Sequence, residues 1–317
     1  MKDKTYKFAV FLLDRYDDEL YKKIKMHSLC QKGYISQVVK VNNFSPYSNK
    51  SESYFKSVCS KIILQINSKL SGVSYTLDLN SKIKDKKLML IGVDSSYIKG
   101  EGTGVAMVST INKSFTNFYN KEQIYKKEKN KPLLFYISEF IKEALAEYKK
   151  FNESFPKGII IYRQGVSLHQ KDFLEKEVEN IRKVCKEYDN IFYDYILVNT
   201  KTNYKFFEKK NGKNDNPEGL LVLNGVTSRN FYEFYIQPQK VTGGSATPSC
   251  YTVAYSNSDY PEIIPKLTYD LCHLYSNWQG TIRVPHVLKL AEKLSKMTAK
   301  YTGEELHKNL SLSQAYL

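Results

Sequence analysis

Strand-length apolar runs alternate with amphipathic helical segments along this chain, and that alternation restricts its fold more than any other feature. Residues 8–13 and 88–93 are long enough for buried strands, yet no run approaches the roughly 18 to 20 apolar residues of a membrane span. Residues 20–29 and 54–70 have the spacing of helices, and residues 37–41 between them read as a second strand. The pattern predicts an α/β fold.

A second series of elements begins at residue 88, after a lysine-rich segment that we expect to join two lobes. A strand ending in Asp94 is predicted to start an antiparallel meander with residues 105–109 and 115–118. Further strands are predicted at 158–162, 191–198, 220–224 and 232–237, and helices at 137–148, 171–188, 268–275 and 286–301. Together they predict a mixed sheet covered by helices. Trp278 is expected in the core, because a lone tryptophan after a helix normally packs.

The charge balance points to a polyanionic partner. Lys and Arg number 48 against 33 Asp and Glu, giving a net charge of +15 and a pI near 9.3. Nucleic acid is the usual partner of such a chain, although a lysine-rich proteome would give the same balance. Five scattered cysteines without a CxxC pair favour reduced thiols in the nucleus or cytosol over disulfides or zinc. The polar N-terminus shows no secretory signal, and no membrane association is expected.

Four blocks, in order along the chain, resemble the argonaute and PIWI proteins. They are Leu-Met-Leu-Ile-Gly-Val-Asp (88–94), Ile-Ile-Ile-Tyr-Arg-Gln-Gly-Val-Ser (159–167), Gly-Gly-Ser-Ala-Thr-Pro-Ser-Cys-Tyr (243–251), and the block from Leu-Thr-Tyr to Ile-Arg-Val-Pro (267–285). The Asn-Trp and Ile-Arg-Val-Pro of the last block resemble the PIWI branch. The resemblance implies a Rossmann-like lobe over residues 1–80, similar to the second half of a MID domain, followed by an RNase H-like PIWI domain over 88–317.

The resemblance also implies a pocket for the 5′ phosphate of a guide RNA. The matching side chains are Tyr21, Lys25, Gln37, Gln65 and Lys69, with Gln37 sixteen residues after Tyr21 as in the family. In PIWI relatives the residue at Gln65 and the terminal carboxylate, here of Leu317, share a magnesium ion with the phosphate. The residues themselves fit that chemistry, since an i, i+4 pair places Tyr21 and Lys25 on one helical face. Isolated Tyr-x-x-x-Lys pairs are also common on solvated helices, which leaves a purely structural alternative.

The nuclease ligands implied by the same resemblance are mostly lost. RNase H-type cleavage uses two metal ions about 3.5 to 4 Å apart, which require several negative ligands. The family supplies an Asp, a Glu, a second Asp, and a His or Asp. Asp94 fills the first place, but Gln164 stands in the third and Glu292 in the last. Of these three positions only Asp94 keeps the family's residue.

The remaining glutamate place falls near Pro132, where no acid stands; Glu128 and Glu139 are the nearest candidates. His286 follows a proline and is expected to point away from the centre. We therefore expect a protein without catalysis, which binds a small guide RNA and a complementary RNA and acts through protein effectors. Two alternatives remain at this point: a magnesium-dependent RNA endonuclease with rearranged ligands, and a protein scaffold that has lost RNA binding.

Overall fold

The computed structural model describes residues 7–44, 51–79, 83, 86–98, 102–125, 133–210, 213–217, 219–239, 241, 244–258 and 261–317. The α-helices are Asp18–Lys25 (α1), Glu52–Lys69 (α2), Leu133–Asn152 (α3), Lys171–Glu187 (α4), Ile263–Leu271 (α5) and His286–Met297 (α6). The strands are Phe8–Leu13 (β1), Ile35–Lys40 (β2), Leu88–Ile98 (β3), Gly102–Thr110 (β4), Phe118–Tyr125 (β5), Gly158–Gln164 (β6), Phe192–Asn199 (β7), Glu208–Lys210 (β8), Lys213–Asp215 (β9), Leu220–Val222 (β10), Tyr232–Gln237 (β11) and Ser249–Ser256 (β12).

The N-terminal part is a strand–helix–strand–helix unit. β1 and β2 pair in parallel, with Val10 opposite Gln37. Asp17 caps α1 by accepting a hydrogen bond from the Leu20 amide at 3.0 Å. The helix then widens into a π-helical segment, Met26–Lys32, that the sequence did not predict. The widened segment ends at Gly33, whose φ of 66° is readily adopted by glycine.

An eight-stranded mixed sheet forms the rest of the fold, in the order β10-β11-β12-β7-β6-β3-β4-β5. The predicted antiparallel meander of β3, β4 and β5 is confirmed, while β6 runs parallel to both β3 and β7. β12 was missed from the sequence, and β5 begins at Phe118 because Phe115 lies in a turn with φ of 59°. The predicted α/β class with a mixed sheet is confirmed.

Helices cover the two faces of this sheet, each over its own buried core. Alternate residues of β3 face opposite ways, so Leu90 packs in the core that contains α6 while Ile91 packs with α3 and α4. α6 crosses β3 at Gly92, where an added Cβ would lie 2.3 Å from the Val287 carbonyl oxygen. This close approach fixes the distance between α6 and the end of β3.

Two findings concern the surface of the described residues. Trp278 is 47% exposed, so its predicted place in the core is wrong; the Lys61 ammonium lies 5.8 Å from its ring centroid. An aromatic ring that a lysine can cover need not be buried. Within the described ranges, no helix combines the length and apolarity that a bilayer crossing requires.

Candidate nucleic-acid interface

Four of the predicted pocket side chains meet around one strand residue, Ser36. Lys25, at the end of α1, donates to the backbone oxygen and to the hydroxyl of Ser36, both at 3.2 Å. Lys69, at the end of α2, donates to the same backbone oxygen and to Oε1 of Gln37, both at 2.9 Å. Gln37 in turn donates to Oε1 of Gln65 at 3.0 Å. We call these four side chains with Ser36 the lysine pocket.

The two ammonium groups of the lysine pocket are buried without a balancing charge. Lys25 and Lys69 are each 1% exposed, and none of the ion pairs of the described residues includes either one. Burial lowers the pKa of Lys25 to about 8. Burial, together with the charge of Lys25, lowers the pKa of Lys69 well below its usual range. A buried charge is costly unless it is paired, so this arrangement favours an incoming anion.

Hydrogen-bond capacity shows which groups of the pocket can meet that anion. Each lysine donates to two protein oxygens, and the two side-chain nitrogens also lie within hydrogen-bonding reach of each other. An incoming anion would compete with that mutual contact for the third N–H of each lysine. The Gln37 side chain is fully engaged, since its nitrogen donates to Gln65 and to the Val38 carbonyl and its oxygen accepts from Lys69. Gln37 therefore positions its neighbours, whereas the nitrogen of Gln65 keeps its donors.

Aromatic rings form one wall beside Lys25. The Lys25 ammonium lies 5.6 Å from the Tyr21 ring centroid, and the Tyr301 ring contacts Tyr21 edge-on at 4.9 Å. Tyr16 completes the group, with its ring 5.8 Å from that of Tyr21. Burial, followed by the neighbouring Tyr301 and Asp18, raises the pKa of Tyr21 to about 12, so its phenol is a neutral donor near pH 7. Such a ring can also stack on a base.

The C-terminal tail lies against the end of α2. The Ser313 hydroxyl donates to the Lys69 backbone oxygen at 2.7 Å, and the Ser71 hydroxyl donates to the Leu312 oxygen at 3.1 Å. Leu317 itself is buried in the same core as α6. The structure thus ties the tail to the helix that carries Gln65 and Lys69, while the role of the Leu317 carboxylate stays a prediction.

The predicted remnants Asp94 and Gln164 of the nuclease centre lie close together, within β3 and at the end of β6. These strands are neighbours, with Val93 opposite Arg163, so Asp94 and Gln164 follow side by side on the same face. Asp94 is 4% exposed and accepts a hydrogen bond from the Ser295 hydroxyl of α6 at 2.6 Å. Burial raises the pKa of Asp94, partly offset by that hydrogen bond, and the nearby Glu292 raises it further.

Glu292 is held by lysines. One of its oxygens lies 2.8 Å from the Lys289 ammonium, and the other pairs with Lys296. Burial raises the pKa of Glu292, but the two lysines outweigh burial and leave that pKa lowered. The carboxylate is therefore ionised, and both of its oxygens are already paired.

The other candidate ligands do not join this centre. Glu139 is exposed on α3, which packs on the opposite face of the sheet from α6. Glu128 and Pro132 lie outside the described residues. His286 is buried, and its ring nitrogens lie 2.8 Å from the Phe115 oxygen and 3.3 Å from the Leu271 oxygen, which confirms that it points elsewhere. Burial lowers its pKa to about 4.

Sequence reasoning missed three groups that define these sites. Ser36 accepts from both lysines through its backbone oxygen, for which a sequence carries no signal, and from Lys25 also through its hydroxyl. Tyr301 comes from the far end of the chain, and only the fold brings it to Tyr21. The lysines around Glu292 were readable in principle, because i+3 and i+4 neighbours share a helical face.

An eight-stranded mixed sheet with Asp94 and Gln164 on neighbouring strands, crossed by α6, defines an RNase H-like domain of the Piwi type. The sequence matches the Piwi domain family over residues 8–302. It is 32% identical over 305 residues to protein argonaute-3 of Drosophila melanogaster, and 30% identical over 271 residues to Piwi-like protein 1 of Danio rerio. The chain belongs to the PIWI clade of the argonaute family, as its sequence blocks predicted.

Solved structures agree with this assignment. Drosophila Piwi superposes with a TM-score of 0.85 at 28% identity, over 98% of this chain and 42% of that one. Kluyveromyces polysporus Argonaute, solved with a guide RNA, shares the fold with a TM-score of 0.82 at 17% identity, over 98% and 42% of the two chains. The alignment with argonaute-3 covers 95% of this chain and 34% of that sequence, and the alignment with Piwi-like protein 1 covers 82% and 30%. This chain therefore spans about a third of the length of those relatives. The predicted division at residues 80–88 stays a prediction.

Proposed function

We propose that this protein binds a small guide RNA by its 5′ phosphate, pairs that guide with a complementary RNA, and does not cleave it. A structurally similar argonaute was solved with a guide RNA, which supports the class of ligand. In this proposal the protein itself does not cleave RNA. Any effect on the target RNA would therefore come through protein effectors that it recruits. The compartment, nucleus or cytosol, would follow from those effectors.

The observation that carries the proposal is the pair of buried, unpaired ammonium groups in the lysine pocket. A terminal phosphate bears up to two negative charges and several acceptor oxygens, so it would accept the third N–H of each lysine, in place of their contact with each other, and one N–H from Gln65. An internal phosphodiester carries a single charge and continues in both directions. Lys25 and Lys69 are each 1% exposed, so a chain end would reach them more easily than a continuous strand.

The first test compares RNAs that differ only at the 5′ end. Two charge-assisted hydrogen bonds at roughly 1.5 kcal/mol each amount to about 3 kcal/mol, or about a hundredfold in affinity. We therefore expect a 5′-monophosphate RNA to bind about a hundredfold more tightly than the same RNA with a 5′ hydroxyl, measured by fluorescence anisotropy. Equal affinities for the two RNAs would refute the proposed function.

Magnesium at the lysine pocket belongs to the same proposal. An amide oxygen of Gln65 and the carboxylate of Leu317 are hard oxygen ligands of the kind that magnesium prefers. Within the described ranges, no cluster of three His, Cys, Asp or Glu offers another site. Two buried ammonium groups repel a bare cation, so the ion would enter only together with the phosphate, and it would supply charge neutralisation there.

The absence of cleavage rests on the state of the three remnant positions. Asp94 is engaged by Ser295, Gln164 has no charge, and Glu292 is paired with two lysines. Two divalent cations at this place would lack the negative ligands that keep them together. These contacts disfavour the alternative of an endonuclease with rearranged ligands, and the lysine pocket disfavours a scaffold without RNA.

We expect no cleavage of a labelled complementary RNA by the guide-loaded protein in magnesium or manganese, followed over hours on a denaturing gel. The Asp94→Ala variant serves as the control and should give the same uncut substrate. A product with a defined cut site that disappears in Asp94→Ala would show that the centre is active and that this part of the proposal is wrong.

A further inference from the structure

Lys25 and Lys69 share hydrogen-bonding partners in a way that fits one positive charge better than two. Both side-chain nitrogens donate to the backbone oxygen of Ser36, at 3.2 and 2.9 Å. Lys25 also donates to the Ser36 hydroxyl at 3.2 Å, and Lys69 donates to Oε1 of Gln37 at 2.9 Å. The two nitrogens therefore flank one carbonyl oxygen, within hydrogen-bonding reach of each other.

The contact between the two nitrogens determines how many protons the pair carries. An ammonium group has three N–H donors and no acceptor, so two ammonium groups cannot hydrogen-bond to each other. An amine has two N–H donors and one lone pair. With an amine at Lys69, its two N–H groups bond Ser36 and Gln37, and its lone pair accepts the third N–H of Lys25. Every donor and acceptor of the pair is then used.

The surroundings of the pair supply no negative charge that would hold a second proton there. Both lysines are 1% exposed, and across the part of the chain that the structure describes no ion pair joins either nitrogen to a carboxylate, that of the Leu317 terminus included. Asp18, the acid of the aromatic wall, lies 3.7 Å from Lys300. The side chains around the pair are Tyr21 from α1, whose phenol is neutral near pH 7, Ser28 from the π-helical segment, Ser36 and Gln37 from β2, and Gln65 from α2.

We propose that the free lysine pocket holds one ammonium group, on Lys25, and one amine, on Lys69, and that binding of the guide 5′ phosphate is coupled to uptake of one proton from solvent by Lys69. This inference rests on the proposed function and names how protons regulate that site. The pKa directions agree with it. Burial, together with the charge of Lys25, lowers the pKa of Lys69 well below its usual range, whereas burial lowers that of Lys25 to about 8.

The proton creates the donors that the phosphate needs. It bonds to the lone pair of Lys69 and forms the third N–H of that residue. The third N–H of Lys25 loses its acceptor at the same moment, so both N–H groups turn to the phosphate oxygens. Two positive charges then face a dianion, and Lys69 is an ammonium group only in the phosphate-bound pocket.

The sign of the pH dependence follows from this uptake. Between pH 7 and pH 8 the complex holds a proton at Lys69 that the free protein lacks, so affinity should fall about tenfold for each unit of rising pH. The phosphate itself acts in the opposite direction, because its second pKa of about 6 makes the dianion more abundant as the pH rises. We expect the 5′-phosphate preference to decrease about tenfold from pH 7 to pH 8, with little change for the 5′-hydroxyl RNA.

Isothermal titration calorimetry at pH 7.5, in buffers of different ionisation enthalpy, counts the proton directly. The wild type should take up about one proton with the 5′-phosphate RNA and about none with the 5′-hydroxyl RNA. K69M keeps only Lys25, which already carries its proton, so its uptake should fall below about half a proton. K22Q/K23Q removes two exposed lysines of α1 and should keep the wild-type uptake.

Carbon-13 NMR of the lysine Cε atoms tests the pair in the protein without RNA, since this carbon has different chemical shifts beside an amine and beside an ammonium group. The free wild type at pH 7.5 should show one amine-type signal, which is missing from K69M. Adding the 5′-phosphate RNA should move that signal to the ammonium position. The comparison of free and bound wild type stands even if K69M does not fold.

Three results would overturn the inference: a 5′-phosphate preference without proton uptake, equal uptake by K69M and the wild type, or only ammonium-type signals in the free protein. Equal affinity for the 5′-phosphate and 5′-hydroxyl RNAs would refute the proposed function instead. The two failures are distinguishable, because the state of Lys69 in the free protein is measured without RNA.

Discussion

Replacing Lys25 and Lys69 together by methionine is expected to abolish the preference for a 5′-phosphate RNA, from about a hundredfold to near onefold. Both lysines donate to Ser36, and each has a third N–H that a phosphate could take in place of their mutual contact. Without them the pocket has no charge to offset that of the phosphate, while contacts with the rest of the RNA remain. Affinity for the 5′-hydroxyl RNA should therefore stay within a few-fold of the wild type.

The fold should survive this double substitution. Replacing a buried charge with an apolar side chain of similar volume is often neutral or stabilising. The cost is the loss of donors to the Ser36 and Gln37 oxygens, at roughly 1 kcal/mol each. The matched control, K22Q/K23Q, removes two exposed lysines from α1, the helix that carries Lys25, and should keep the 5′-phosphate preference. A folded methionine variant that still prefers the phosphorylated RNA would show that the pocket lies elsewhere.

Local spacing explains how much of the lysine pocket could be predicted. Tyr21 with Lys25, and Gln65 with Lys69, are i, i+4 pairs, and such pairs share a helical face wherever the helix ends up. Joining the two pairs requires β2 to lie between their helices, and the family resemblance supplied that arrangement. Ser36 escaped notice because two of its three bonds to the lysines come through its backbone oxygen, and every residue has one.

Other errors came from long-range contacts that override local pattern. β12 pairs with both β7 and β11, and only its first three residues belong to the Gly-, Ser- and Pro-containing block at 243–251, which the sequence presents as a loop. Trp278 was predicted in the core because a lone tryptophan after a helix normally packs. Nothing near it in sequence reveals Lys61 of α2, whose ammonium lies over its ring. The α/β class was more secure, because it depends on many apolar runs and no single contact decides it.

α6 connects the nuclease remnant with the lysine pocket. It carries Ser295, whose hydroxyl donates to Asp94, and it continues as a π-helical segment, Thr298–Thr302, to Tyr301, which contacts Tyr21.

The π-helical end of α6 contacts a buried carboxyl group, Glu122, whose ionisation should make stability depend on pH. Glu122 of β5 is 4% exposed and accepts a hydrogen bond from Thr298. Burial raises the pKa of Glu122 to about 8, although the Thr298 hydroxyl and the Leu306 amide oppose the rise. The carboxyl is thus protonated in the folded protein at neutral pH, whereas in the unfolded chain it ionises near pH 4.5.

The sign of the pH effect follows from this difference. Since the folded pKa lies above the unfolded one, the stabilisation is complete below about pH 4.5 and is lost as the pH rises towards 8. Glutamine at this position cannot ionise, so E122Q should gain on the wild type by about 3 kcal/mol in free energy of unfolding between pH 5 and pH 8, at 1.36 kcal/mol per unit. Urea titrations at the two pH values measure this gain.

The matched control for E122Q is E175Q, because Glu175 is exposed on α4. Its free energy of unfolding should follow that of the wild type at both pH values, and the contrast isolates burial as the cause. If E122Q and the wild type kept a constant difference from pH 5 to pH 8, Glu122 would be ionised in the folded protein. The contact with Thr298 would then have to stabilise a buried carboxylate, and the continuation of α6 towards the lysine pocket would depend on a charged hydrogen bond.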